Sequence, residues 1–356
     1  MIEKSNFLTG LKVVDCSTVL AGPSVATYFA ELGASVIKIE SPAGDITSTW
    51  RLPSEHQDSV SAYYSSVNYG KEVIEMNLMN PENVNSLKNL LSEADIMISN
   101  FKKGDADKFG LDDATIKTLN PKLIHGKIVG FSEESDRVAY DLILQAETGF
   151  MSINGSPDSP PTKMPVALID VLAAHHLKEA ILLALYKREQ TKTGATISVS
   201  LYDSAVSSLI NQASNYLMTN EIPKRLGSLH PNIAPYGEIF STLDGRMVCF
   251  AIGSNKHFEI LCHFLGLEKY LLDIKFINNQ NRVTNRIELF KILEKSVNKI
   301  KADDVLSGLQ KHSVPCGEIK SIDKVFEDQG AKELIVEEKQ NTTITKRVKS
   351  AIFRWK

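Results

Sequence analysis

The chain has 356 residues, 43% apolar and 23% charged, a composition typical of a globular protein. This length favours two domains, because one hydrophobic core rarely organises more than about 250–300 residues. The formal net charge of -3 excludes the basic surplus of a general nucleic-acid binder. No apolar run approaches the roughly 18 residues that a membrane span requires, so neither nucleic acid nor a membrane is an expected partner.

The four cysteines are far apart in the sequence and include no C-x-x-C pair: Cys16, Cys249, Cys262 and Cys316. This pattern is typical of neither a disulfide framework nor a structural zinc site, so we expect no bound metal. The first ten residues lack the apolar segment of a secretory signal. These features predict a reducing, cytoplasmic location.

The first elements form a β–α–β pattern. An apolar strand at 11–15 precedes Pro23, which suits the first turn of a helix because its missing N–H is not needed there. We predict that the helix spans 24–32 and that a second strand follows at 35–40, which implies two parallel strands. Glu40 resembles the acid that holds a ribose in dinucleotide-binding folds, but the G-x-G-x-x-G loop of those folds is missing. The helix N-terminus after Gly22 favours phosphate binding; a tight turn without a ligand is the alternative.

Strands and helices continue to alternate through the first half, with strands predicted at 72–78, 94–99 and 122–131. This spacing predicts an α/β fold built on a doubly wound parallel sheet. Ligands of such sheets bind outside the carboxyl ends of the strands. Five residues are predicted at these ends: Gly22, Glu40, Asn100, Phe131 and Asp170.

Asp170 is the most unusual of the five. It is a lone carboxylate between an apolar, strand-like run at 165–169 and a helical segment that begins with His175 and His176. An Asp at a helix start is often an N-cap, whereas its predicted position at the ligand edge favours a site role. The two histidines either contact a ligand or are bonded to partners or exposed. Capping and catalysis are compatible roles for Asp170.

The second half begins with a linker near 221–231. A hairpin is predicted around Asp244-Gly245, between strands at 236–243 and 246–252. Helices are predicted at 255–265, 282–300 and 302–311. This part of the chain therefore reads as a smaller α+β domain.

Short motifs with one consistent order and spacing run through nearly the whole chain. They include Leu8-Thr-Gly-Leu-Lys-Val-Val-Asp15, Ala21-Gly-Pro23, Gly44-Asp45, Ala94-Asp-Ile-Met-Ile-Ser-Asn-Phe101, Tyr140-Asp141, Leu168-Ile-Asp170, His230-Pro231 and Val314-Pro-Cys-Gly317. In this series the chain resembles the class III CoA-transferases, which comprise the formyl-CoA and carnitine-CoA transferase group and, as a branch, the α-methylacyl-CoA racemases.

The resemblance implies a Rossmann-like large domain that binds CoA at 1–220, a linker at 221–230, a small α+β domain at 231–315 and a return to the large domain at 316–356. It also implies a homodimer of interlocked subunits. The substrates would be an acyl-CoA and a small carboxylic acid, with CoA as cosubstrate and no permanently bound cofactor.

By the same resemblance, Asp170 is the catalytic nucleophile that attacks the acyl-CoA thioester to give an aspartyl anhydride and then an aspartyl-CoA thioester. A desolvated, ionised carboxylate is a competent nucleophile. The CoA-binding residues carried over from the family are Leu20, Ala21, Met76, Asn77, Asn100, Phe101, Lys108, Ala139 and Tyr140. Lys108 stands where many members have Arg, so it keeps the charge but loses the bidentate fork.

Two alternatives stay open beside the transferase. The racemase branch uses a His/Asp pair and a Glu, but Tyr140 stands at the His position and Ser254-Asn255 at the Glu position. Because the pKa of an unperturbed tyrosine lies near ~10, Tyr140 is a poor acid/base at neutral pH, which favours the transferase. The other alternative is a CoA-binding protein without catalysis.

Overall fold

The computed structural model describes residues 7–340 and 343–354. Residues 1–6, 341–342 and 355–356, which the expected first and last segments include, lie outside the described residues. The chain forms two compact units. The first comprises the described residues up to Phe150, Lys163–Glu221 and the described residues from Gly330. The second comprises Met151–Thr162 and Ile222–Gln329.

The bounds of the second unit differ from the expected 231–315, because it also includes the 151–162 loop and continues to Gln329. Two hydrogen bonds attach this loop to the linker. Arg225 Nη1 donates to the carbonyl of Ser152 at 3.4 Å, and the N–H of Gly227 donates to the carbonyl of Gly155 at 2.9 Å. Residues 151–162 therefore pack against the linker that follows the helix at Ile210–Thr219, and both segments belong to the second unit.

A six-stranded parallel sheet organises the first unit. Its strands are β1 (Lys12–Cys16), β2 (Ser35–Glu40), β3 (Lys71–Glu75), β4 (Ile96–Ser99), β5 (Ile124–Val129) and β6 (Ala195–Ser200), in the order β3-β2-β1-β4-β5-β6. From β1 the chain adds β2 and β3 on one side of the sheet, and then β4, β5 and β6 on the other side. Doubly wound sheets bind ligands at such a switch point, which here lies between β1 and β4. The predicted α/β fold with a parallel sheet is confirmed.

Helices cover both faces of the sheet. The helices of the first unit and its borders are α1 (Ala21–Glu31), α2 (Ala62–Val67), α3 (Pro81–Glu93), α4 (Asp105–Phe109), α5 (Asp113–Leu119), α6 (Asp141–Glu147), α7 (Phe150–Ile153), α8 (Leu168–Thr191), α9 (Leu201–Ser207) and α10 (Ile210–Thr219). A short 3-10 helix spans Ile46–Thr49. No described helix combines the length and the apolarity that crossing a membrane would need.

Alternation along the strands produces two separate cores. Side chains of a strand point to opposite faces at successive positions, so Val13 and Ile98 pack in the core that contains α1 and α8. Val14 and Met97 pack on the other face, in the core that contains Leu87 of α3 and Ile116 of α5. The strands therefore read as continuous apolar runs, which is typical of parallel sheets covered on both faces.

The strand predicted at 165–169 is wrong. Leu168 and Ile169 already belong to α8, and the residues before them form an irregular segment. The apolar residues of this part of the chain do not share a buried face. Met164 and Val166 are exposed, whereas Ile169, in the first turn of α8, is fully buried in the core between α8 and the sheet. Asp170 consequently lies in the first turn of a 24-residue helix and does not follow a sheet strand.

The second unit contains the predicted hairpin. Strands β7 (Tyr236–Ser241) and β8 (Met247–Ala251) are antiparallel, and β9 (Cys316–Glu318) extends the sheet. Its helices are α11 (Asn255–Leu265), α12 (Asn279–Thr284), α13 (Arg286–Val297), α14 (Ala302–Gln310) and α15 (Ile322–Val325), with a 3-10 turn at Glu268–Tyr270. The single helix predicted at 282–300 is divided at Asn285 into α12 and α13. After α16 (Gln329–Lys332), an antiparallel hairpin of β10 (Ile335–Gln340) and β11 (Thr343–Val348) belongs to the first unit.

Gly126 in β5 permits the close approach of α8 to the sheet. A Cβ at this position would lie 3.0 Å from Ile181 Cδ1 and 3.1 Å from Leu177 Cδ1, both in α8. We expect Gly126→Ala to lower the free energy of unfolding by about 1–3 kcal/mol, as overpacking does in other cores. Denaturant titration checks this value. Gly253→Ala is the control, because a Cβ there meets no atom within 4 Å; equal losses in both variants would contradict the packing argument.

Candidate active site

Asp170 lies in the first turn of α8 with only 8% of its surface exposed. Among the residues that the structure describes, no group donates a hydrogen bond to its carboxylate. Burial, and secondly the charge of Asp141, raise its pKa to about 7. A carboxylate without donors in such a site is poorly solvated, so its ionised form is high in energy and nucleophilic.

The structure excludes the N-cap role for Asp170. The N-cap residue of α8 is Ala167, which offers no side-chain bond. Asp141 of α6 supplies the missing acceptor, because its Oδ1 accepts the N–H of Ile169 at 2.8 Å. Asp141 therefore caps α8, and Asp170 does not. The cap leaves the Asp170 side chain available for chemistry.

Gln145 extends this attachment one turn further along α6. Its Nε2 donates to Asp141 Oδ2 at 2.7 Å and to the carbonyl of Met164 at 3.3 Å, and its Oε1 accepts the N–H of Met164 at 2.7 Å. Both side chains are buried. Residues four apart lie on one face of a helix, so Asp141 and Gln145 together hold both ends of the irregular segment before Asp170.

Tyr63 of α2 is electrostatically coupled to this site. Burial raises its pKa to about 12, with smaller contributions from the charges of Asp170, Asp141 and Asp45. Its hydroxyl therefore stays protonated at neutral pH and is able to donate a hydrogen bond. Tyr63 lies in a long polar segment without a motif, so no sequence pattern indicates it.

The turn between β1 and α1 carries the predicted residues Leu20 and Ala21. Leu20 is the N-cap of α1 and Ala21 its first residue, and no side chain caps this helix. Within a helix the first N–H groups have no carbonyl partner, so the turn presents donors toward the carboxyl edge of the sheet. Gly22 is required here because a Cβ would collide with the Ser17 side chain.

Asn100, another predicted residue, lies directly after β4 and contacts this turn. Its Oδ1 accepts the N–H of Thr18 at 3.0 Å, and its Nδ2 donates to the carbonyl of Thr18 at 2.9 Å. Phe101 is half-buried and packs edge-on against Phe109 at 5.7 Å between ring centroids. The structure thus brings Asn100 to the β1–α1 turn, while Phe101 covers the core on the α3 face.

The other predicted residues lie farther along the same edge or beyond it. Met76 follows β3, is buried, and donates its N–H to the carbonyl of Glu40 at 2.7 Å, whereas Asn77 is exposed. Lys108 is exposed near the end of α4. Ala139 and Tyr140 precede α6, and Tyr140 is its N-cap residue, 48% exposed.

Glu40 does not match a free ribose-binding acid, because its Oε1 accepts the Tyr64 hydroxyl at 2.7 Å. His175 and His176 lie on α8, and Nδ1 of His176 is 3.7 Å from Glu179. Burial and the nearby Lys178 lower the pKa of His175. The structure gives neither histidine a bond to Asp170.

Four charged side chains near the β1–α1 turn are buried, which the sequence motifs do not indicate. Lys71 donates to Asp15 at 2.8 Å, and Lys38 donates to Asp45 at 3.1 Å; all four side chains are inaccessible. Burial and the charge of Lys38 lower the pKa of Lys71 to about 8. Burial opposes ionisation of Asp15, but Lys71 and Lys38 outweigh it and hold the pKa of Asp15 below its usual value. The sequence signal for Lys38 is a charged residue inside the apolar run of β2, a strand of a sheet that is covered on both faces.

Comparisons with known proteins show the family of the chain. The model of CoA-transferase family III matches residues 8–355. The chain is 37% identical to the succinate–glutarate CoA-transferase of Agrobacterium fabrum over 90% of this chain and 82% of that protein. It is 34% identical to the acetyl-CoA:oxalate CoA-transferase of Acetobacter aceti, over 88% and 80% of the two chains.

A solved structure shows the same fold. A CAIB/BAIF family protein from Brucella suis superposes with a TM-score of 0.83 and 37% sequence identity, over 98% of this chain and 92% of that one. The match includes the parallel sheet, α8 and the second unit, because it leaves almost no residue of this chain uncovered. The protein therefore belongs to CoA-transferase family III and is a class III CoA-transferase.

Proposed function

We propose that this enzyme transfers CoA between an acyl-CoA and a free carboxylic acid through covalent intermediates on Asp170. The single observation that supports this role is the state of Asp170, a carboxylate that is almost fully buried, lacks hydrogen-bond donors among the described residues, and has its pKa raised to about 7. A carboxylate kept only to cap a helix would instead accept backbone N–H bonds, and Asp141 does that here.

In the first half of the reaction the Asp170 carboxylate attacks the thioester carbonyl. The C–S bond breaks, CoA thiolate leaves, and an aspartyl mixed anhydride forms. The thiolate then attacks the aspartyl carbonyl of this anhydride, which releases the donor acid as its carboxylate and leaves an aspartyl-CoA thioester. Splitting one exchange into acyl transfers of this kind replaces a difficult step with easier ones.

In the second half the acceptor carboxylate attacks the aspartyl thioester and forms a new anhydride with release of CoA thiolate. The thiolate attacks the acyl carbonyl of the acceptor, which gives the new acyl-CoA and regenerates the Asp170 carboxylate.

For CoA we propose the carboxyl edge of the sheet, with Leu20, Ala21, Met76, Asn77, Asn100, Phe101, Lys108, Ala139 and Tyr140 as binding residues. Support comes from the uncapped start of α1, which favours a phosphate. Small dicarboxylic acids are our first choice as acceptors, because the two relatives described above are named for succinate, glutarate and oxalate. A cytoplasmic location stays a prediction.

We also propose a homodimer. Apolar side chains are exposed along α8 and α10 of the first unit: Leu183 (69%), Tyr186 (69%), Leu217 (74%) and Met218 (85%). Large exposed apolar surfaces of this kind are typical of protein–protein contacts. Sedimentation analysis distinguishes a dimer, interlocked or otherwise, from a monomer.

The racemase alternative receives no support from the residues at its acid/base positions. Ser254 caps α11 by accepting the N–H of His257 at 3.1 Å, and Asn255 Oδ1 accepts a bond from Arg282 at 2.9 Å. Both side chains therefore have structural partners. Deuterium uptake at the α-carbon of a 2-methylacyl-CoA, without any acceptor acid, would be required to revive this alternative, and its absence together with CoA exchange excludes it.

Asp170→Ala should abolish exchange. We expect kcat to fall by a factor of about 10³ or more, because the covalent route is lost. In the wild type, hydroxylamine added during turnover with succinyl-CoA should convert Asp170 to a hydroxamate that mass spectrometry detects. Asp158→Ala, at an exposed loop position, is the control and should keep full activity. Full activity of Asp170→Ala would refute the proposed mechanism; binding of CoA without any turnover by the wild type would favour a non-catalytic CoA-binding protein.

Asp170→Asn should stabilise the fold above pH 4. A raised folded-state pKa means that ionisation of Asp170 costs stability, so the wild type loses stability as pH rises from the unfolded value near 4 to about 7. The free energy of unfolding of the variant relative to wild type should therefore increase between pH 4 and 7, then level off at about 2–4 kcal/mol. Denaturant titrations at several pH values measure this difference. A difference that does not vary with pH would show that Asp170 titrates normally.

Asp141→Asn should move the acid limb of the rate profile. If Asp170 must be ionised, kcat/KM rises with pH to a plateau above about pH 7 in the wild type. Removing the Asp141 charge lowers the pKa of Asp170, so the limb should shift to lower pH. The plateau should also fall, because an asparagine amide cannot satisfy Ile169 and Gln145 together.

Glu147→Gln is the matched control, since this exposed residue lies on the same helix and pairs with Arg137. Its rate profile should superpose on that of the wild type. A limb that stays in place in Asp141→Asn would show that Asp141 does not control the ionisation of Asp170.

A further inference from the structure

The turn between β1 and α1 contains a residue in a rare backbone conformation. Val19 has φ 73, in the left-handed region. Glycine and asparagine adopt this region readily, whereas for a β-branched residue it is an outlier that the surroundings must enforce. Val19 directly precedes Leu20 and Ala21, where the proposed CoA site begins.

Asp45 and Lys38 enforce this conformation. The Asp45 carboxylate accepts the N–H of Val19, at 3.2 Å from Oδ2 and 3.4 Å from Oδ1. Lys38 Nζ lies 3.1 Å from Asp45 Oδ2 and donates at 2.9 Å to the carbonyl of Ser17. One ion pair therefore holds both ends of the segment from Ser17 to Val19.

The remaining bonds of Asp45 fix the position of its own carboxylate. Oδ1 accepts the N–H and the hydroxyl of Thr47, at 3.0 Å and 2.8 Å. With Asn100 bonded to both backbone groups of Thr18, the turn is held by side chains from three different strand ends or loops. Its conformation is thus fixed before any ligand arrives.

A buried ion pair is weak evidence for a stabilising role, because the desolvation of two charges offsets their attraction. Lys38 and Asp45 are both inaccessible. Apolar side chains of the same volume would leave the N–H of Val19 without this acceptor and the carbonyl of Ser17 without this donor. The pair is therefore best explained by the backbone geometry that it imposes.

We propose that Asp45 and Lys38 are positioning residues for the acyl-CoA substrate, which act by holding Val19 in its left-handed conformation and so orient the Leu20–Ala21 backbone. This inference rests on the proposed CoA site at the start of α1. Both side chains are inaccessible, so they act through the backbone of the turn. Their effect is on binding of the CoA moiety, with a smaller effect on the chemical steps at Asp170.

The test is Asp45→Asn in three backgrounds: the wild-type Val19, Val19→Ala and Val19→Gly. Alanine removes the isopropyl group but keeps a Cβ, which still disfavours this φ, whereas glycine adopts it without cost. Binding of free CoA is measured by calorimetry, and KM for succinyl-CoA and kcat are measured separately. Thr49→Val is the matched control, because this exposed residue of the same 3-10 helix bonds to the carbonyl of Ile46 and to neither Asp45 nor Val19.

In the wild-type and Val19→Ala backgrounds, Asp45→Asn should raise the Kd for CoA and the KM for succinyl-CoA by about tenfold while kcat changes less than about threefold, the pattern of lost binding. In the Val19→Gly background the same substitution should change both constants less than about threefold, since the strain that the ion pair opposes is gone. Thr49→Val should leave both constants near wild-type values.

Equal changes in all three backgrounds, or an unchanged Kd in Asp45→Asn, would overturn the inference while leaving the proposed function intact. If Asp45→Asn does not fold with valine at position 19, the Val19→Gly background carries the test: folded protein that binds CoA supports the positioning role, and failure to fold there refutes it. A wild-type protein that binds no CoA would refute the proposed function, and this inference with it.

Discussion

The hydrogen bond from the N–H of Ile169 to Asp141 is the contact on which the arrangement of the site depends. A helix that begins in the interior needs an acceptor for its first N–H groups. Because Asp141 supplies it from α6, the neighbouring Asp170 is released from that task. The same bond brings two carboxylates together, and their repulsion, added to burial, raises the pKa of Asp170 to about 7. Asp141 thus both fixes the start of α8 and contributes to the raised pKa of Asp170.

Charged side chains are paired at the β1–α1 turn but not around Asp170. Around Asp170, carboxylates accumulate without a described cation bonded to them, and the ionised state is costly. Around the β1–α1 turn, by contrast, Asp15 and Asp45 are each paired with a buried lysine and bonded to the backbone. Paired charges fix geometry, whereas an unpaired one is available to react. The first unit therefore combines a turn held by paired charges with a buried carboxylate that has no such partner.

Apolar periodicity was sufficient to predict the parallel sheet, the first β–α–β unit and the hairpin of the second unit, because each depends on local patterns. It failed at 165–169, where a short apolar run is equally compatible with a strand, and only the tertiary contacts of Gln145 decide its path. The order of the motifs indicated Asp170 as a candidate site residue. Its burial and its proximity to Asp141 were not predictable from the sequence. The roles of Asp141, Lys38 and Asp45 depend on contacts between residues 7–28 positions apart, which no local pattern encodes.

Gly130 and Ala139 enclose the base of the exposed loop that leads to α6. A Cβ on Gly130 would lie 2.5 Å from that of Ala139, and the carbonyls of Gly130 and Phe131 accept bonds from Tyr202 and Ser200. Because this narrow base is fixed from both sides, substitutions or insertions within 132–138 would leave the start of α6 in place. A change in the surface beside Tyr140 would therefore leave intact the hydrogen bond from the N–H of Ile169 in α8 to Asp141.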